Sequence, residues 1–390
     1  MGQYDGLFYK FEKVETNSGG LLPQFEAYFR GASCIPGAQI YLPYRAYLRP
    51  GVIDPEPHFH RDEEYLAFVG HDLRDAFESF DAEIELWLGE DYDNMEKIVI
   101  TKPTMIRVPQ FYWHGPVEIK RLGKPLFFQP VLFSSRYYAI RRRTDSGGNV
   151  YYDALCEGMP SHGEIVTFPR PRGAAERGGI MSKYDHLIYV FEKQYTQWGD
   201  FMPPYQAYFR GHDCMPDSSF YASYRCYMKE AFVDREANFH SEEEYLCFIG
   251  YDMTDPWGSF DAEIEFWIGE TLDKLEQHII TEPTIVRIPP FYWHCPLEFK
   301  RVSKPVYLQV LGTRGRFGPY FQRIDEAGKV YIQYAGIGAQ RPCRYDKTKP
   351  CTVCGRCFKE KLLDKDSPQT ATEAALRHIE TQKKLGLAGK

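Results

Sequence analysis

The chain carries one sequence twice. Residues 1–155 recur as residues 181–335 at a constant offset of 180, from Met1 and Met181 to Tyr151 and Tyr331, and no gap is needed. About half the positions between 27 and 116 are identical to their counterparts, far beyond chance for a repeat of this length. The period is too long for a solenoid, whose units run ~20–50 residues. Two domains must therefore fold from one pattern, and every difference between the copies is informative.

Each copy reads as strands. Ser79-Phe80-Asp81-Ala82-Glu83-Ile84-Glu85-Leu86-Trp87-Leu88-Gly89 alternates polar and apolar, as does Tyr41-Leu42-Pro43-Tyr44-Arg45-Ala46-Tyr47-Leu48. Gly and Pro punctuate at short intervals, including Pro50-Gly51, Gly70, Gly89, Pro103 and Pro109. Many short strands with such breaks predict an all-β sandwich or barrel in each copy. Residues 71–79 are expected to form a short helix or an ordered loop. The predicted organisation is a first domain over 1–166, a linker over 167–180 that includes Pro169-Arg170-Pro171, a second domain over 181–336 and an extension over 337–390. In that extension Ser367-Pro368 is expected to open a helix that Gly386 ends.

Net charge is −7, which argues against a general nucleic-acid or anionic-membrane binder. No run approaches the ~18 apolar residues of a membrane span. Met1-Gly2-Gln3-Tyr4-Asp5 lacks a signal-peptide core, and Gly6 breaks a myristoylation pattern. Of the ten cysteines, Cys34, Cys156, Cys214, Cys226, Cys247 and Cys295 are scattered, and Cys343, Cys351, Cys354 and Cys357 cluster. Scattered singles read as buried small side chains, so a reducing, cytoplasmic setting is expected.

The copies differ where chemistry is concentrated. The first holds His58, His60, Glu64 and His114, whereas the second holds Asn238, His240, Glu244 and His294. Histidines at i and i+2 of a strand project to one face. A carboxylate four residues on and a distant histidine could complete a four-ligand set for a divalent ion such as Mn, Fe or Zn. Two histidines and one carboxylate can also hold Fe(II), so His240, Glu244 and His294 form either a second metal site or a structural relic. Glu63 and Glu243 should face the other side of the strand.

The spacing His-x-His-x3-Glu, followed ~50 residues later by Pro109-x4-His114, resembles the two motifs of the cupin family. The resemblance covers residues 1–335 and implies a small jelly-roll β-barrel for each copy, a bicupin. One departure concerns the glycine usual between the second motif's proline and histidine. Here that place is taken by Phe111 in one copy and Phe291 in the other, which puts the turn geometry in question.

Glu83 and Glu85 share a strand face with Asp81 and Trp87, and the pattern recurs in the second copy. If that face lines the barrel, a carboxylate could act as general acid or base. If not, the face is simply solvated. Arg45 and its counterpart Arg225 are expected either to pair with an acid or to hold an enolate or carboxylate. Tyr44, Tyr47, Tyr112 and Trp113 could wall the site or pack in the core. Arg30 and Arg107 are expected in structural ion pairs. The clustered cysteines Cys343, Cys351, Cys354 and Cys357 offer four thiolates for structural Zn or an iron–sulfur cluster.

Three functions compete on the sequence. The first is metal-dependent hydrolysis of a small oxygenated ring or β-diketone, a ring opening similar to that of the dihydrophloroglucinol cyclohydrolases. The second is an Fe(II) dioxygenase of a phenolic or diketone substrate, and the third a non-enzymatic binding bicupin. The first is favoured, because an acid-rich strand suits proton transfer and a thiol-rich tail suits a reducing setting. A small-molecule substrate and a homo-oligomer are the expected partners.

Overall fold

The computed structural model describes residues 2–156, 182–195, 201–313, 318–335 and 368–389. The linker around Pro169 and all four clustered cysteines lie outside the described residues.

Each copy forms a barrel of two facing sheets. In the first, one seven-stranded sheet runs in the order Ile188–Val190, Thr104–Val108, Glu64–Gly70, Leu126–Leu132, Tyr41–Tyr47, Phe25–Arg30, Val14–Glu15. The facing sheet runs Val150–Cys156, Tyr138–Thr144, His58–Phe59, Trp113–Leu122, Ala82–Gly89, Glu96–Ile100, and Gly51–Asp54 also pairs with Trp113–Leu122. The second barrel repeats the plan. The expected all-β double barrel is therefore what the chain adopts. Residues 71–79 form an ordered loop of turns, the second of the two expected forms.

The sequence copies and the sheets do not share boundaries. The strand Ile188–Val190 of the second copy closes the first barrel's sheet by pairing with Thr104–Val108, Met105 lying opposite Tyr189. Reciprocally, Phe8–Lys10 pairs with Thr284–Ile288 of the second barrel, Tyr9 lying opposite Ile285. Each N-terminal arm thus covers an edge that would otherwise expose unpaired N–H and C=O groups.

The two large sheets pack back to back, and this packing explains the composition of their central strands. Every residue of Glu64–Gly70 is buried. Leu66 and Phe68 fill the first barrel, whereas Tyr65, Ala67 and Val69 face the seam between barrels. Glu64, on the parity of Leu66 and Phe68, is thereby aimed into the barrel. Tyr44 belongs to the seam and not to the site: its hydroxyl donates to Gln309 Oε1 at 2.6 Å. Gln129 and Gln309, counterparts in the repeat and both fully buried, exchange amide hydrogen bonds at 2.9 and 2.7 Å. Tyr224 donates to Gln129 Oε1 at 3.2 Å. A ring of four polar side chains is thus satisfied inside an apolar seam. Arg107 pairs with Glu63, and Arg287 with Glu243 at 2.6 Å, so Arg107 is in the ion pair expected of it and both glutamates turn away from the ligand face.

The C-terminal helix is Ala371–Lys384, three residues later than Ser367-Pro368 suggests. Thr370 is the N-cap, its hydroxyl accepting from Glu373 N, and Glu373 accepts in turn from Gln369 N at 2.9 Å. This reciprocal capping satisfies N–H groups that Pro368 could not. Gly386, at φ 64°, follows the end. The helix lies on the outer face of the second barrel, where Thr372 donates to Glu265 at 2.6 Å and Ala237 N donates to His378 Nε2 at 3.2 Å.

Gln129→Leu leaves buried amide and hydroxyl groups of Gln309 and Tyr224 without partners. We expect a loss of about 1–3 kcal/mol in denaturant unfolding, with the far-ultraviolet spectrum unchanged.

Candidate metal centre

The first barrel gathers His58, His60, Glu64 and His114 from three strands and a connecting turn. His58 lies directly opposite His114 in the ladder. His60 follows on the same side after Phe59, which packs outward against Trp113 and Ile140. All four residues are 2–3 % exposed. Ligand nitrogens of His58, His60 and His114 lie within 4.8 Å of one another. His114 Nε2 is 3.0 Å and His60 Nε2 3.6 Å from Glu64 Oε2.

The Nδ1 side of each ring is occupied. His58 Nδ1 meets Asp54 Oδ2 at 3.1 Å and Glu56 O at 3.2 Å, His60 Nδ1 meets Tyr138 O, and His114 Nδ1 meets Tyr112 O at 3.4 Å. Such partners fix tautomer and ring orientation and leave Nε2 facing the centre. Burial lowers His58 and His114 to about 4 and His60 to about 3, so all three rings are neutral, the form that ligates. Burial raises the Glu64 carboxyl. His60 Nε2 and Glu64 Oε2 are buried without a hydrogen-bond partner. Unsatisfied buried polar atoms are costly, and four converging donors of this chemistry fit a divalent transition ion.

The second barrel keeps much of this geometry. Ligand atoms of His240, Glu244 and His294 lie within 4.8 Å of one another, with Glu244 Oε2 3.0 Å from His294 Nε2 and 3.5 Å from His240 Nε2. Asn238 still bridges His294 through the backbone, and its amide takes the place of the His58 Nδ1, donating to Glu236 O at 3.3 Å and Asp234 Oδ2 at 3.5 Å, but it has no counterpart of the His58 Nε2. Asp234 has lost the imidazole that its counterpart Asp54 holds, and burial pushes its carboxyl up to about 7. Three donors remain, a set that can still bind a metal with open positions.

The turn before the last histidine resolves the missing glycine. Phe111 and Phe291 adopt φ 66° and 67°, the left-handed region that glycine favours. Their N–H groups donate to His60 O at 2.8 Å and His240 O at 2.7 Å. Phenylalanine therefore takes the glycine conformation at a cost of about 1–2 kcal/mol, tying the two ligand segments together.

Glu83 and Glu85 require correction. Ile84, Leu86 and Leu88 of their strand fill the barrel, so the two glutamates and Trp87 face outward. Glu85 pairs with Lys97 at 3.0 Å, and Trp87 is 38 % exposed. Neither carboxylate reaches the centre. Trp113 also faces away from the ligands, into a small outer cluster, and Tyr112 donates to Glu90 at 3.1 Å on the surface. Arg45 and Tyr47 do face inward. Arg45 Nε donates to the buried Glu26 at 2.8 Å, and Tyr47 closes the barrel core.

Sequence reasoning missed Asp54, Glu26, Tyr41 and Tyr137. The Tyr137 ring sits 5.6 Å from His60 and 5.3 Å from Tyr41. Burial holds its hydroxyl well above the usual tyrosine range. A signal was present in the repeat, because the counterpart of Tyr137 is Phe317 and that of Glu26 is Gln206.

No protein-family model matches the chain, and no curated protein matches its sequence. Solved structures do. Oxalate decarboxylase of Bacillus subtilis, in a study of its Mn(II) centres, superposes with a TM-score of 0.51 at 8 % identity, over 82 % of this chain and 80 % of that one. Oxalate decarboxylase in a study of its substrate binding mode and reaction-specificity switch matches with a TM-score of 0.52 at 8 % identity and the same coverage. A tryptophan-to-phenylalanine variant of the B. subtilis enzyme matches similarly, at 7 % identity and a TM-score of 0.51. With two jelly-roll barrels in tandem and a histidine-rich cluster inside each, the chain has the fold of a bicupin.

Proposed function

We propose that the chain is a metal-dependent enzyme whose first barrel hydrolyses a carbon–carbon bond in a small oxygenated ring or β-diketone. The observation that carries this reading is the buried cluster of His58, His60 and His114, with Glu64 Oε2 3.0 Å from His114 Nε2 and 3.6 Å from His60 Nε2, and His60 Nε2 and Glu64 Oε2 without hydrogen-bond partners. The likeness to oxalate decarboxylase agrees with it, since decarboxylation also breaks a carbon–carbon bond and the B. subtilis enzyme has Mn(II) centres. The cyclohydrolase comparison has no support beyond the sequence.

A divalent ion held by the four ligands would polarise a carbonyl oxygen and acidify a bound water. Asp54 keeps His58 oriented for that task. Arg45 is neutralised by Glu26, so the inner wall presents an ion pair and not a free cation. Such a wall suits an uncharged diketone, whose oxygens would accept from Tyr47, Tyr41 or Tyr137. Tyr137 stays protonated through neutral pH and can deliver a proton to the carbon released when the bond breaks. Tyr137 takes over the proton-transfer role that Glu83 and Glu85 are placed too far outside to fill.

The test pairs metal analysis of the purified protein with a screen of cyclic 1,3-diketones and polyphenols, with and without O2. Mn together with turnover that survives removal of O2 is expected; Fe(II) with stoichiometric O2 consumption would make the chain a dioxygenase instead. His60→Ala should abolish turnover and His240→Ala should reduce it less, so equal losses would refute the first barrel as the main site. Tyr137→Phe should lower kcat by about 10²-fold or more while leaving metal content unchanged. Chelation should lower the melting temperature, because an ion bound only by the folded chain stabilises it, and Mn should restore it.

A further inference from the structure

The two barrels treat one arginine differently. Arg45 and Arg225 occupy equivalent positions on the strands Tyr41–Tyr47 and Tyr221–Tyr227. In the first barrel Glu26 pairs with Arg45. In the second, the counterpart of Glu26 is Gln206, and its amide is fully committed to backbone. Gln206 Nε2 donates to Pro203 O at 3.2 Å and Tyr205 O at 2.8 Å, and Oε1 accepts from Cys226 N at 3.2 Å. Among the described residues Arg225 has no ion-pair partner, and its Nε is buried with no hydrogen bond. The Tyr227 hydroxyl, on a side chain that is 0 % exposed, is likewise unpartnered.

Arg225 lies within electrostatic reach of Tyr208, Tyr221, Tyr227 and Glu244. Glu244 cannot serve as its counter-ion by contact, because its Oε2 lies 3.0 Å from His294 Nε2 and faces the ligand cluster. A guanidinium does not deprotonate in proteins, and Arg225 is partly exposed, with its Nε enclosed and unpartnered. Among the described residues no acid lies in contact with Arg225 as Glu26 does with Arg45, and a bound anion would supply that contact. The planar fork of donors, flanked by a tyrosine hydroxyl, matches a carboxylate.

We propose that the second barrel is a binding site for a small carboxylate, held by Arg225 and Tyr227 beside His240, Glu244 and His294. The barrel that lost one histidine also lost the acid that would have blocked this arginine. The two changes together convert a copy of the first site into an anion receptor, whatever reaction the first barrel performs.

Malonate titrated calorimetrically into the metal-loaded full chain tests this. The wild type should bind one malonate. Arg225→Gln and Gln206→Glu should each weaken that binding by about tenfold or more, the loss expected for hydrogen bonds to a charged group. Glu26→Gln, which frees Arg45, should add a second site. Wild-type affinity in a folded Arg225→Gln or Gln206→Glu chain overturns the proposal, as does a Glu26→Gln chain that still binds one malonate. Sulfate competing on equal terms would overturn the assignment to carboxylates. If Arg225→Gln does not fold, Gln206→Glu decides, since it copies a pairing the first barrel already accommodates. Metal content and melting temperature, measured for each variant, separate a lost anion site from a lost centre.

Discussion

The seam between the two large sheets is the constraint from which the rest follows. It requires the central strands to be apolar on both faces, so that Glu64–Gly70 is buried throughout. In such a strand parity alone decides destination, and a one-residue slip would send Glu64 to the seam and Tyr65 into the barrel. The Gln129–Gln309 amide pair, with Tyr44 and Tyr224, pins that parity from both sides. Polar groups that can be satisfied in only one alignment of the sheets are a physical reason for the barrels to dock in one way. The exchanged arms, Phe8–Lys10 and Ile188–Val190, lock the same docking by sealing each barrel's edge with the other copy's strand.

Within this frame duplication allows division of labour. The backbone geometry of the two centres is nearly common, down to the left-handed Phe111 and Phe291 that tie each ligand turn to His60 or His240. Side chains supply the differences. His58 against Asn238 changes the donor set, and Glu26 against Gln206 changes the charge on the wall. The C-terminal helix adds a third asymmetry, because it covers the outer face of the second barrel only. Trp267 is buried beneath it at 7 % exposure, where Trp87 stands open.

Much of the candidate site was legible in the chain itself. The candidate ligands of both barrels follow from strand parity and from the repeat, and Asn238 in place of a histidine marked the copies as unequal. Glu83 and Glu85 show where such reading stops. Alternation proves that a strand has two faces, but it does not say which is inside, and apolar Ile84, Leu86 and Leu88 claimed the interior. Tyr44 and Tyr47 are three residues apart in one strand, yet one belongs to the seam and the other to the barrel. Tyr137 lies in an irregular segment between strands, where no periodicity announces a direction.

Periodicity and repetition are properties of the chain, so two all-β domains, and the histidines and carboxylates that come together in each, were already written in it. Tertiary structure alone decided which face of each strand was enclosed, which barrel each N-terminal arm completed, and whether an arginine met its acid. Those outcomes depend on contacts between residues far apart in sequence, and Arg225 is the clearest case. Its sequence neighbourhood matches that of Arg45, and only the fold reveals that Gln206 has turned away from it.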